Sequence, residues 1–156
     1  LKKGYYFIIF LIINFGGLAI GNWFMGDAVT GEWYNNLNKA PWTPPGWVFG
    51  FAWTTIMLCF SYYLAELFIE RSKVTLWFVF LFAWLLNMSW NWFFFNQKMV
   101  NVGLIVLILL TLTILYFFIT FRHDRLKWAK YLLLPYLIWL CIATSLNAYI
   151  LLNNYL

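Results

Sequence analysis

VGLIVLILLTLTILYFFITF, residues 102–121, contains no charged residue and no proline. A run near 20 apolar residues is long enough, as a helix, to cross the hydrocarbon of a bilayer. It is apolar all the way round, whereas a helix on the surface of a soluble domain keeps one polar face. Within lipid every backbone N–H and C=O must be paired inside the segment, so the run is expected to be a transmembrane helix.

Working outward, four similar runs appear at roughly 5–24, 44–68, 74–95 and 129–152. The composition agrees: 65% hydrophobic and 10% charged, against about 25% charged in an ordinary soluble domain. The expected fold class is an all-α membrane protein, residues 1–156 forming one bundle of five transmembrane helices with a long loop between the first two. Lys2 and Lys3 ahead of the first run, with Ala19 and Gly21 near its end, resemble a signal peptide. The apolar stretch is longer than a signal peptide's core, so a retained helix is expected.

The net charge of +5 does not imply nucleic acid, because no basic stripe follows one helical face. Lys2, Lys3, Arg71, Lys73, Arg122, Arg125, Lys127 and Lys130 fall on one side of a five-span arrangement, and only Lys39 and Lys98 on the other. That asymmetry predicts a cytoplasmic N-terminus and an outer first loop, if the host is an inner membrane. The short connection at 70–73 predicts that the second and third helices are antiparallel neighbours. Thr43, Pro44 and Pro45 read as the cap and first turn of the second helix, and Pro135 as a kink in the fifth. Gly17–Gly21 and Gly46–Gly50 are GxxxG pairs, best read as packing within the bundle.

Conventional catalytic chemistry has little to work with. His123 is the only histidine and lies in a basic loop, and Cys59 and Cys141 are separate residues in apolar runs. These make neither a metal site nor a triad. Asp27, Glu32, Glu66, Glu70 and Asp124 all lie in loops or near helix ends, and no ionisable residue sits mid-membrane, where transporters and proton pumps usually place some, so the sequence gives ion-coupled transport little support. What remains is rings and amides: 24% of the chain is aromatic. In the third run Asn87, Trp90 and Phe94 share a face, with Asn91 beside them; in the fifth, Trp139, Ala143 and Asn147 are spaced by four; in the second, Phe49 and Trp53. A buried amide needs a partner, on another helix or on a ligand. Three such stripes beneath a long aromatic loop point to a flat-walled apolar pocket for a planar hydrophobic ligand.

The segments WYNNLNKAPWTPPGWVFGFAW at 33–53, LNMSWNWFFF at 86–95 and PYLIWLCIATSLN at 135–147 together resemble the TspO/MBR family, the tryptophan-rich sensory proteins and translocator proteins. The resemblance covers essentially the whole chain. It implies a five-helix bundle, commonly a homodimer, that binds porphyrins such as protoporphyrin IX, with benzodiazepine-type compounds and cholesterol as further ligands of many members. It implies pocket positions Tyr34, Trp53, Asn87, Trp90, Trp139 and Ala143, with Phe94, Leu146 and Asn147 nearby. In that reading Trp53, Trp90 and Trp139 are walls, Asn87 and Asn147 bond polar ligand atoms, and Tyr34 closes the site. Trp33, Lys39, Pro41 and Trp42 belong to the lid, Lys39 offering a cation to ligand carboxylates. No cofactor is required. Light-dependent porphyrin degradation, which would be enzymatic, and transport of porphyrin or sterol are the alternatives. The family's sterol motif is incomplete: Leu146 and Tyr149 are present without a following Lys or Arg through Leu156. Asn96 stands where family members often have glycine.

Overall fold

The computed structural model describes residues 2–71, 74–121 and 126–156; Lys73, Arg122, His123, Asp124 and Arg125 of the sequence reading lie outside the described residues. The described chain is all helical. Helix α1 spans Lys2–Met25, α2 Glu32–Asn36, α3 Gly46–Glu70 and α4 Val74–Asn91, which runs on into a π-helical turn at Trp92–Asn96. Helix α5 spans Val100–Thr120, and α6, Leu126–Ala129, leads through a 3-10 turn at Lys130–Leu133 into α7, Leu134–Asn154. Five segments are long and apolar enough to cross a membrane: Lys2–Met25, Gly46–Glu70, Val74–Asn96, Val100–Thr120 and Leu126–Asn154. Such a chain fits a multi-pass integral membrane protein.

The helices close into a ring in the order α1, α3, α7, α5, α4. The expectation that the second and third spans are direct neighbours therefore fails in part. Helix α1 wedges between α3 and α4, whose backbones stay apart and meet through rings. Phe10 of α1 sits among Phe68, Trp77 and Phe80, and Phe60 reaches Phe80 across the same gap. A short connection limits distance, but large aromatic side chains can span the space that a third helix opens.

The buried positions of α1, namely Phe10, Asn14, Gly17 and Gly21, recur on one face at helical spacing. Gly17 lets the Trp84 ring lie against the α1 backbone: a Cβ there would stand 2.3 Å from the indole nitrogen. That indole donates to the Ile13 carbonyl at 2.9 Å. Gly21 makes the same kind of slot for the Asn91 amide. Asn14 donates to Ser61 of α3 at 2.8 Å, and at the helix start Lys3 pairs with Glu66 and donates to Tyr62. The Gly17–Gly21 pair is thus consumed within the bundle, as expected. Among the described residues a Cβ at Gly46 or Gly50 would meet nothing within 4 Å, so this pair, against expectation, makes no close packing contact within the bundle.

Three local expectations are corrected. The long loop between the first two spans is not a loop throughout: turns at 26–30 and the short helix α2 follow α1 closely. Thr43 does not cap the second span, which starts at Gly46 after Pro45; its hydroxyl instead donates to the Ala40 carbonyl at 2.7 Å, closing a turn. Pro135 does not bend a continuous helix at its middle. It sits at the start of α7, directly after the 3-10 turn, because its ring and missing N–H bar an ordinary α-helical turn there.

Candidate functional site: an aromatic cavity under a short helix

The end of the third span forms the inner wall. Successive residues of an α-helix point about 100° apart, so Phe93, Phe94 and Phe95 would diverge. The wider π-helical turn, in which the Gln97 N–H donates to the Trp92 carbonyl at 2.9 Å, buries Phe94 and Phe95 together. Trp90 stacks on Phe94 with centroids 5.0 Å apart and planes 20° apart, while Phe95 meets both edge-on. Such π turns often occur at functional sites. The backbone then reverses through Lys98, which has a left-handed φ of 55°.

Asn147 ties the wall to its neighbours. Its carbonyl oxygen accepts the Trp90 indole N–H at 3.1 Å, and its amide donates to the Val100 carbonyl at 2.8 Å. One side chain of α7 thereby links α4 to α5, and Gly103 leaves it room. The reading of Asn147 as a residue whose amide faces a ligand changes accordingly. Its two ends are engaged inside the protein, where they orient the Trp90 ring.

Helix α2 is the roof. Trp33 lies edge-on to Phe94 at 5.8 Å and Tyr34 lies on Phe95 at 5.4 Å. Lys39 donates to the carbonyls of Tyr34 and Asn35, at 2.8 and 3.4 Å, and its ammonium stands over the Tyr34 ring. A cation on the last carbonyls of a helix opposes its dipole favourably. Lys39 therefore fixes the roof ring as well as supplying charge at the rim. Lys98 stands over Trp33 in the same manner. Burial raises the Tyr34 hydroxyl above its usual pKa, so it stays protonated at neutral pH.

Between wall and roof lies a cavity of about 40 Å³. It is lined by Tyr34 and Thr43 from the roof segment, Phe49 from α3, Trp90, Phe94 and Phe95 from the wall, and Ala143, Leu146, Asn147 and Ile150 from α7. Seven of the ten positions expected in the pocket meet here. Trp53 and Trp139 form a deeper layer: Trp139 is edge-on to Phe49 at 5.1 Å and Trp53 meets it at 6.5 Å. Asn87 is half-buried on α4 and does not line the cavity. Of the lid residues, Trp33 touches the wall, Trp42 rests on Tyr149 and bonds Ser145, and Pro41 lies exposed in a turn. Sequence reading missed Thr43, Phe95 and Ile150. Phe95 needed the π turn to come inside, and Ile150 follows Ala143 and Asn147 at helical spacing.

A second concavity, about 480 Å³, is an open furrow on the outside of α4 and α5 between Phe78, Phe82, Leu109 and Tyr116. Among the described residues no group of His, Cys, Asp and Glu could hold a metal. Cys59 and Cys141 are free thiols.

The architecture is that of a multi-pass integral membrane protein whose helices close around aromatic rings. A sequence model of the TspO/MBR family matches residues 8–152, and the chain belongs to that family. It is 36% identical over 124 residues to the tryptophan-rich sensory protein of Cereibacter sphaeroides, covering 74% of this chain and 73% of that protein. It is 34% identical over 146 residues to the tryptophan-rich protein TspO of Archaeoglobus fulgidus, covering 88% of this chain and 91% of that one. It is 32% identical over 125 residues to protein CrtK of Rhodobacter capsulatus, covering 75% of this chain and 75% of that protein.

Proposed function

We propose that this protein is a membrane binding protein, in the manner of a sensor, for planar hydrophobic ligands of the porphyrin class, with benzodiazepine-type compounds as competitors. The observation that carries the reading is the convergence of Trp90, Phe94, Phe95, Phe49 and Tyr34 on one roofed cavity. Flat faces favour a flat ligand, since stacking and edge contacts both use ring geometry. The name of the Cereibacter sphaeroides relative, a tryptophan-rich sensory protein, agrees with a sensing role.

At about 40 Å³ the cavity holds little more than water, whereas pockets for drug-sized ligands run to roughly 300–1,000 Å³. Binding therefore requires the roof to lift and the ligand to take the place of Tyr34 and Thr43 against the wall. Lys39 and Lys98 then stand at the rim, where acidic arms of a ligand would lie. In an inner membrane the charge asymmetry of the loops turns the roof outward, and the family resemblance supports a homodimer.

The test is a titration of the protein in lipid nanodiscs with protoporphyrin IX, followed by tryptophan fluorescence. Saturable quenching is expected, reversed by a benzodiazepine-type competitor. Loss of one wall ring in Trp90→Ala weakens the affinity by roughly two- to tenfold. An unchanged affinity in a Trp90→Ala protein that keeps its helical circular dichroism would remove this cavity from the function.

A further inference from the structure

The roof segment is held shut by residues that the cavity does not use. At one end, the Asn38 backbone N–H donates to the Asn154 side-chain oxygen at 2.8 Å, and the Asn154 amide donates back to the Asn38 carbonyl at 3.1 Å. Asn154 also donates to Ile150 within its own helix, so the amide is oriented before it meets the roof. One residue on, the Tyr155 hydroxyl accepts the Trp33 indole N–H at 3.1 Å. At the other end, Trp42 donates to Ser145 and lies edge-on to Tyr149. Taken in order, residues 42, 38 and 33 meet residues 145, 154 and 155, so the roof segment runs antiparallel to the last turns of α7. Trp33 thus bonds Tyr155 through its indole N–H and meets Phe94 of the cavity wall edge-on.

The chemistry of these contacts is that of a reversible clasp. The hydrogen bonds of Asn38, Asn154, Trp33 and Tyr155 lie at exposed or half-exposed groups. Water can take over each bond when it breaks, so opening does not strand a polar group in hydrocarbon. The Asn147 bonds beneath are buried and lack that exchange. The roof is therefore the element that can part, and the wall is the element that stays.

We propose that the end of α7 is the latch of the roof: Asn154 and Tyr155 hold residues 32–43 down, and release of these bonds sets the rate at which ligand reaches and leaves the cavity. The rate claim rests on the binding reading above; the holding claim does not. The latch bonds lie outside the cavity lining, so the same bonds part when ligand enters and, once re-formed over the bound ligand, part again when it leaves. Weakening it speeds entry and exit together.

The experiment compares wild type with Asn154→Ala/Tyr155→Phe in nanodiscs, with Asn153→Ala as control. Among the described residues, Asn153 bonds only the Tyr149 carbonyl of its own helix. Amide hydrogen exchange without ligand is measured first. Exchange at residues 32–43 rises about tenfold in the double variant, while α3 and α5 keep their protection. Stopped-flow quenching by protoporphyrin IX is measured second, and association and dissociation rates both rise, with a smaller change in affinity. Unchanged exchange at 32–43 overturns the latch. Faster exchange with unchanged porphyrin rates overturns its control of access, and places ligand entry between helices. If protoporphyrin fails to quench the wild type, the binding reading falls, and the exchange result alone decides whether the latch exists.

Discussion

The seam between α1 and α4 and the seam between α7 and the roof solve one problem in two media. In the first, Gly17 and Gly21 remove side chains so that Trp84 and Asn91 can lie on the α1 backbone. Lipid tails are as apolar as leucine, so burial drives little association there, and close fit with a few internal hydrogen bonds must suffice. In the second, Asn38, Asn154, Trp33 and Tyr155 meet through exposed polar groups. There water competes for every bond, which makes the seam weaker and releasable. One seam is suited to holding a bundle, the other to opening.

The largest effect that can test this contrast is at Gly17. A leucine at this position collides with Trp84 and costs roughly 1–3 kcal/mol, read as a lower thermal midpoint in detergent. Gly46→Leu, where nothing lies within 4 Å, shifts the midpoint little. Equal shifts in the two variants would show that close approach of α1 to α4 is not what holds the bundle. Next in size is the Asn14–Ser61 bond between α1 and α3. A double-mutant cycle with Asn14→Ala and Ser61→Ala should give a coupling of about 0.6 kcal/mol, with ~1.7 as the upper range for such bonds in a bilayer. A coupling of zero would mean that the two groups find other partners equally well. The smallest effect is expected at Trp42, which is 53% exposed. Trp42→Phe keeps a ring beside Tyr149 but loses the donor to Ser145. Stability then changes by less than ~0.5 kcal/mol, since water replaces the bond. Exchange at residues 32–43 nevertheless rises two- to threefold, by about the strength of one exposed bond. A drop in stability as large as at Gly17 would erase the distinction between the two seams.

Much of this was readable before any coordinates. The five spans follow from local hydropathy, and the Ala143–Asn147 and Trp90–Phe94 stripes follow from helical spacing. The same spacing could not say which partners the amides take. Asn147 looked free for a ligand and proves to be bonded to Trp90 and Val100. Asn87 shares a face with Trp90 in an ideal helix but lies away from the cavity lining. Trp53 and Trp139 fall one layer deeper, behind Phe49. Phe95 enters through the π turn, a change in helical pitch that no residue pattern at 92–96 announces.

Composition and periodicity by themselves determined the solvent, the number of spans and the supply of rings and amides, because lipid demands that each span be apolar and helical within its own length. The tertiary structure alone decided that α1 stands between α3 and α4, that Asn147 orients a ring, and that Asn154 reaches Asn38 across the roof. Those contacts join residues far apart in the chain. Their energies depend on distances and orientations that exist only once the helices have closed into a ring.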